Sequence, residues 1–525
     1  MKTPIKAMLV FASLVAGPNR GVFAQVPQPT SAPLASGKAS PTTPPLQPNE
    51  NGIFTVKTTS RLVVLDVVVT DKKGNLVTGL KREDFSVTEA KEPQTILNFE
   101  SPGAHQVGPE VTINSTADLD RLAPRAPVNI ILLDEFNTRF EDMAFARYSL
   151  KKFLEKQPDK LTTPTMLIAV DLRHFTVLHD YTQDKKAVID ALNHHLVSYP
   201  WQIRGTSWIP ERVSTAFGTL MRVAEATVGH PGHKNMIWIG RGLPALNFAN
   251  LEVDSQTRVD NAVQECVNAL RDARVTLYSI DPAGLLVDTM AYGQDASDID
   301  PFGGNYTFNR LAKATGGKAL YGRNDVDAEI GTTARDGNGF YTLTYRPANA
   351  SPDPEKFRKI AVTLSRPELT VTAREGYYVR LPPGKVNPQS PSRRLAFDLV
   401  SAETSTMPYD GVPVTVLPNA KGPGLYIVRI EARALEWTDA TDTEPRKAEV
   451  VLMATTFDKK GKELKRIARE IKVSAPRDVP PTGRLERNVN LELTLEPDAK
   501  AVRARFVVRV AASGRIGTAD VVLKQ

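Results

Sequence analysis

Val128-Asn129-Ile130-Ile131-Leu132-Leu133-Asp134-Glu135-Phe136-Asn137-Thr138 is an apolar, largely β-branched run that stops at an acid and small polar side chains. A continuous apolar run of this length suits a strand buried on both faces, as in a parallel sheet. In open α/β sheets, ligands sit beyond the carboxyl ends of such strands, which is where Asp134 stands.

Working outward, strand and helix patterns alternate from Val128 to Pro347. Strands are expected at 128–134, 165–172, 235–240, 275–281 and 339–346. Helices are expected at 141–157, 184–196, 212–228, 253–273, 308–315 and 325–334. Phe145, Leu150, Phe153 and Leu154 recur at helical spacing, and Gly316-Gly317 stops a helix. Such alternation predicts right-handed crossovers and a doubly wound, mainly parallel sheet over 126–350.

Before it, 53–125 reads as a small β unit, too small to enclose a core alone. After it, 351–383 reads as a β extension of the α/β domain, and the proline-rich 384–410 as a linker. Residues 411–525 carry about seven short strands, which predicts an immunoglobulin-like β-sandwich. The expected fold is therefore multidomain: a Rossmann-like α/β domain between an N-terminal β unit and a C-terminal sandwich.

The chain opens with Lys2 and Lys6, a short apolar stretch, and Val22-Phe23-Ala24 before Gln25. This is the pattern of a signal peptide over 1–24 with cleavage after Ala24, and it predicts a secreted or periplasmic protein. Residues 25–52, rich in Pro, Ser and Thr, are expected to be a disordered linker. No later stretch is apolar enough for a transmembrane helix.

Of 525 residues, 41% are hydrophobic and 24% charged, the balance of a soluble globular protein. The net charge of +7 lies mostly beyond Gly384 and is interspersed rather than clustered with aromatics, which argues against nucleic acid. The single cysteine, Cys266, excludes an intramolecular disulfide and reads as a buried helix residue.

The order Leu80-Lys81-Arg82-Glu83-Asp84-Phe85, Leu133-Asp134-Glu135-Phe136-Asn137-Thr138, Pro231-Gly232-His233-Lys234-Asn235, Tyr278-Ser279-Ile280-Asp281-Pro282, Gly316-Gly317 and Arg374-Glu375-Gly376-Tyr377-Tyr378 resembles exported bacterial proteins related to the von Willebrand factor type A (VWFA) domain. The resemblance spans roughly Phe54 to Val379. In VWFA domains the first strand ends in Asp-x-Ser-x-Ser, whose oxygens hold a divalent cation that a partner's carboxylate completes. By that resemblance Asp134, Thr138 and Thr206 are the candidate metal ligands for Mg²⁺ or Ca²⁺, since hard cations want oxygen donors. The site is degenerate: Phe136 replaces a serine, and Arg241 stands where the family has a second aspartate. The expectation is that no cofactor is retained, and that Asp134 caps a helix or pairs with Arg241.

A protein partner is then expected at Asp134, Asn137, Thr138 and Arg241, and the chain is read as a non-enzymatic adhesion-type protein. A cell-envelope scaffold binding through the sandwich is the alternative, and a hydrolase using Asp134 and a histidine comes third. No Walker loop, nucleophile elbow or zinc helix appears. Asp295, Asp298 and Asp300 read as a solvated loop, His194-His195 and His230 with His233 as non-ligands, and Trp201, Trp208 and Phe217 as packing residues.

Overall fold

The computed structural model describes residues 62–197, 209–242, 253–284, 308–347, 357–378, 391–422, 424–438, 445–475, 488–496 and 498–523. The signal-peptide and 25–52 linker readings lie outside them. Four strands come first: β1 (Val63–Thr70), β2 (Phe85–Glu89), β3 (Glu92–Gln94) and β4 (Ile96–Glu100). Helix α1 (Thr116–Leu122) follows, with the Ser115 hydroxyl accepting the Asp118 N–H as its N-cap.

β5 (Val128–Asp134) is buried at every residue, as its composition requires. Next come α2 (Phe140–Glu155), β6 (Lys160–Val170), β7 (Phe175–Asp184), α3 (Lys185–His194), α4 (Ile209–Thr227), β8 (Lys234–Ile239), α5 (Val253–Asp272), β9 (Val275–Ile280), α6 (Phe308–Thr315), β10 (Ala319–Leu320) and α7 (Val326–Asp336). The strands form one six-stranded sheet in the order β10-β9-β8-β5-β6-β7. Every pairing is parallel except β6 with β7. The chain winds outward from β5 to one edge, then returns to β8 and winds to the other. The switch point therefore lies between the carboxyl ends of β5 and β8.

Alternate side chains of the central strands face opposite layers. Ile130, Leu132, Met236 and Trp238 pack with Leu220 of α4, Cys266 of α5 and Leu311 of α6. Ile131, Leu133, Ile237 and Ile239 pack with Leu150 of α2, Val188 of α3 and Ile330 of α7. The sheet is doubly wound, and burial pushes the Cys266 thiol well above its ordinary pKa. Phe217 lies in the first of these cores.

The strand expected over 339–346 does not join this sheet. β11 (Phe340–Tyr345) pairs antiparallel with β1 and β4 instead. With β12 (Phe357–Leu364), β13 (Thr370–Ala373) and β14 (Gly376–Tyr378), it completes two four-stranded sheets, β13-β1-β11-β4 and β14-β12-β2-β3. Their shared core holds Val63, Leu65, Val67, Phe85, Val87, Tyr341, Leu343, Tyr345 and Ile360. The small β unit and the β extension are therefore one structure, with the α/β domain inserted between its halves. The reason is core size: β1 to β4 cannot enclose a hydrophobic interior until β11 to β14 supply the facing residues.

α8 (Pro391–Thr404) corrects the linker reading of 384–410. Leu399 and Ala402 join the core that also holds Ala216 and Leu220 of α4. After α8 come β15 (Val414–Pro418), β16 (Leu425–Glu431), β17 (Arg446–Phe457), β18 (Glu463–Ala475), β19 (Asn488–Thr494), β20 (Arg503–Val510) and β21 (Ile516–Val522). These seven strands make two antiparallel sheets, β15-β16-β19 and β18-β17-β20-β21, around Val428, Ile430, Val450, Leu452, Leu491, Leu493, Phe506 and Val508. Val451, Met453 and Val507, on the outer face of the larger sheet, meet α8 in the α/β core.

Polar ties fix α8 to the sandwich. Arg509 Nε donates to Asp398 at 2.7 Å, Arg466 Nε to Glu403 at 2.7 Å, and Arg505 Nε to the Ala402 carbonyl at 2.8 Å. Prolines announced a linker, but the apolar residues of the helix decided the outcome. No helix among the described residues is long and apolar enough to cross a membrane.

Candidate functional site

Asp134 ends β5 at the switch point, and none of its surface is exposed. The backbone N–H of Asn137 donates to its Oδ1 at 2.9 Å. The Gly242 N–H and the Trp238 indole Nε1–H donate to its Oδ2 at 2.7 and 3.1 Å. Burial pushes the Asp134 carboxyl up to about 7, against these donors, which favour the charged form.

The loops after β5 and β8 are stitched together around this acid. Asn137 Nδ2 donates to the Gly242 carbonyl at 2.9 Å, and Arg212 Nη1 donates to Asn137 Oδ1 at 3.3 Å. The Arg241 N–H donates to Thr138 Oγ1 at 3.3 Å. Gly240 permits the approach: at its φ of +145°, a Cβ would stand 2.4 Å from the Asp134 Cβ and 2.5 Å from Thr138 Oγ1. Only glycine fits there.

Phe136, at the position where a serine would ligate, is fully buried and sits edge-on to Trp238 with ring centroids 6.1 Å apart. Trp238 in turn stacks edge-on to Phe308 at 4.8 Å. Phe136 is a core residue of the α/β domain.

Arg241 does not pair with Asp134. Its Nε lies 3.7 Å from Asp281 Oδ2, beyond the end of β9, and makes no hydrogen bond. Asp281 Oδ1 instead accepts the Ala283 N–H at 3.0 Å. Asp142 on α2 completes this charged rim; burial raises its pKa, while Arg241 opposes the rise.

The expected ligand and partner residues thus separate into two layers. Asp134, Asn137 and Thr138 are buried, and Arg241 keeps 24% of its side chain exposed. The three buried residues hold the loops together, with polar atoms bonded to neighbouring backbone and side chains. Thr206, Trp201, Trp208, Asp295, Asp298 and Asp300 lie outside the described residues.

Among the described residues, Asp134 and Thr138 do not make a donor set that fits a Mg²⁺ or Ca²⁺ ion. Both Asp134 oxygens face N–H donors, Thr138 Oγ1 accepts a fourth N–H, and an aromatic ring stands where an oxygen is needed. Among the described residues, no group of three His, Cys, Asp or Glu side chains is placed to hold a metal.

The histidines serve elsewhere. His195 Nε2 bonds Glu135 Oε1 at 2.7 Å beside the site, and His194 Nδ1 bonds the Asp190 carbonyl at 2.7 Å. His230 Nε2 bonds the Ala126 carbonyl at 2.8 Å, and His233 Nδ1 bonds Asp66 Oδ2 at 2.9 Å.

Sequence reasoning missed Trp238, Gly242, Asp281 and the Glu135–His195 pair. Gly240-Arg241-Gly242 directly after a buried strand was the available signal for the first two, and the apolar run that ends at Asp281 was the signal for the third.

No protein-family model and no curated protein matches the chain. Among solved structures, the chain is similar to the SpRpn10 VWA domain at 15% identity, covering 32% of this chain and 96% of that one with a TM-score of 0.17. It is also similar to the pilus adhesin SpaC from Lactobacillus rhamnosus GG at 10% identity, covering 70% of this chain and 53% of that one with a TM-score of 0.25. At such scores neither likeness carries an argument.

Proposed function

We propose that the chain is an exported, non-enzymatic protein-binding protein whose VWFA-like α/β domain meets a partner at the carboxyl ends of its central strands without a metal. The carrying observation is Arg241. It is part-exposed above the closed Asp134 layer, and its Nε has no hydrogen bond and only a 3.7 Å approach to Asp281. In the family this sequence resembles, a cation at this strand end receives a partner's carboxylate. Arg241 offers a fixed guanidinium to the same chemistry, and a carboxylate would give it the bidentate pair it lacks here.

Two features support binding over hydrolysis. Asp134 is engaged by N–H donors, and the nearby His195 is engaged by Glu135. The seven-strand sandwich, read as immunoglobulin-like, is the second candidate surface. Truncation from Gly384 would not separate the two surfaces, because it strips Leu399 and Ala402 from the α/β core.

Point substitution does separate them. Immobilised chain should capture a partner from envelope extract equally well with EDTA or Mg²⁺, and Arg241→Glu should abolish capture while the folded signal is kept. Capture that needs Mg²⁺, or that survives Arg241→Glu unchanged, would refute the reading.

A further inference from the structure

The amino-terminal side of the same sheet holds a group of arginines that the proposed function does not use. Arg374 lies in the turn between β13 and β14, with 8% of its surface exposed. Its backbone is pressed against the end of α6, where a Cβ on Gly316 would stand 2.8 Å from the Arg374 nitrogen. Among the described residues, its buried Nη1 meets no hydrogen-bond acceptor, and no carboxylate forms an ion pair with it.

Two more guanidinium groups approach from the end of α5. Arg271 lies over the Tyr377 ring at 5.0 Å and donates through Nη1 to the Tyr378 carbonyl at 3.3 Å, which ties it to β14. Arg274 follows α5 and binds Asp66 of β1. Burial pulls the Arg374 pKa down to about 9, and the positive charge of Arg271 adds to that fall.

The acids within reach are committed. Asp66 accepts from His233 at 2.9 Å and from Arg274 Nε at 3.3 Å, and Asp272 accepts from Arg271 Nε at 2.9 Å. Arg271 is paired with Asp272 and Arg274 with Asp66, and among the described residues no carboxylate pairs with Arg374. An unpaired buried charge is strongly unfavourable, and an unsatisfied buried donor in a native fold marks the place of an ion or water. The side chains of Arg271 and Arg274 are 11% and 19% exposed, so the rim opens to solution.

The geometry points to an anion site in which Arg374, rimmed by Arg271 and Arg274, holds a small tetrahedral oxyanion, phosphate or sulfate. The Arg374 fork matches the oxygens of such an ion, and the positive charge of Arg271 and Arg274 adds to the attraction, whereas a spherical halide uses only the charge.

Calorimetric titration of the whole purified chain tests this, with inorganic phosphate and sodium sulfate in separate arms and ionic strength held with sodium chloride. We expect saturable binding of at least one oxyanion, weakened tenfold or more by Arg271→Gln and abolished by Arg374→Met. The exposed Lys421→Gln should leave it unchanged. The tighter of the two arms names the ion, and that ion should raise the Tm of the native chain by mass action. Heats equal to the chloride control in both arms, or binding that Arg271→Gln leaves intact, would overturn the proposal. Should Arg374→Met fail to fold, Arg271→Gln decides alone.

Discussion

The two ends of the central sheet each bury an aspartate and treat it in opposite ways. At the carboxyl end, Asp134 accepts N–H groups of Asn137, Gly242 and Trp238, and burial pushes its carboxyl up to about 7. At the amino end, Asp66 arrives from β1 and meets His233, Arg274 and Thr342. Burial would raise its pKa too, but the charge and hydrogen bonds of Arg274, with His233 beside it, hold it well below the usual carboxylate range. Burial pulls His233 towards its neutral form, so Arg274 is the cation that decides the matter. At Asp134 the N–H donors do not offset the lost hydration, whereas at Asp66 an ionised partner in contact does. The carboxyl end is held by a network of hydrogen bonds, and the amino end by an ion pair that joins two domains.

Asp66→Asn should break this contrast most severely. It leaves the Arg274 guanidinium in a largely buried seam without its charge partner, a change that typically costs about 3–5 kcal/mol. The urea midpoint should fall at neutral pH and converge with the native value as the pH drops. The sign follows from the depressed pKa: Asp66 contributes stability above the ordinary carboxylate pKa, and that contribution is lost as pH falls towards its own. A midpoint unchanged by Asp66→Asn would mean that the N-terminal β unit and the α/β domain do not depend on this pair.

Asp134→Asn should have a smaller effect of opposite pH sense. The amide keeps one acceptor and turns an N–H towards the loop donors, which costs about 1–3 kcal/mol. A raised folded pKa gives stability that is complete below about 4 and is lost as pH rises through about 7. The native chain should therefore lose stability relative to Asp134→Asn across that window, approaching about 1.4 kcal/mol per pH unit. Burial lowers the Lys234 pKa and raises those of Asp410 and Glu329, but these groups are common to both proteins and cancel in the difference. Parallel curves of Tm against pH for the two proteins would show that Asp134 is already charged at acid pH.

Much of this architecture was legible from local pattern. The apolar run 128–134 identified the central strand, and the helical periodicity of 212–228 and 253–273 identified α4 and α5. What could not be read was partnership. β11 has the composition of a buried strand in either sheet, and only its register with Val63 to Val68 assigns it to the N-terminal β unit. α8 was hidden by flanking prolines, and its burial depends on Arg505 and Arg509, about a hundred positions away. At the candidate site, Asp134 and Arg241 were named correctly as residents of the strand ends. Of the two readings of Asp134, as a helix cap or as the partner of Arg241, the pairing is not found, because Asp281 lies nearer the guanidinium.

The smallest expected effect sharpens the comparison most. Arg241 and Arg274 are both arginines beside a buried aspartate, so composition alone would weigh them equally. Arg274 donates to Asp66 through two nitrogens and also to the Pro231 carbonyl at 2.7 Å. Arg241 makes one 3.7 Å approach to Asp281 and leaves its Nε unbonded. Arg274→Gln should therefore reproduce most of the Asp66→Asn loss, since it unmakes the same pair. Arg241→Gln should move the urea midpoint by the equivalent of about 1 kcal/mol or less, as expected for a loose, partly hydrated pair. Equal shifts for the two glutamines would mean that Arg241 is a structural member of the Asp281 cluster, and that it is not held in reserve for a partner's carboxylate.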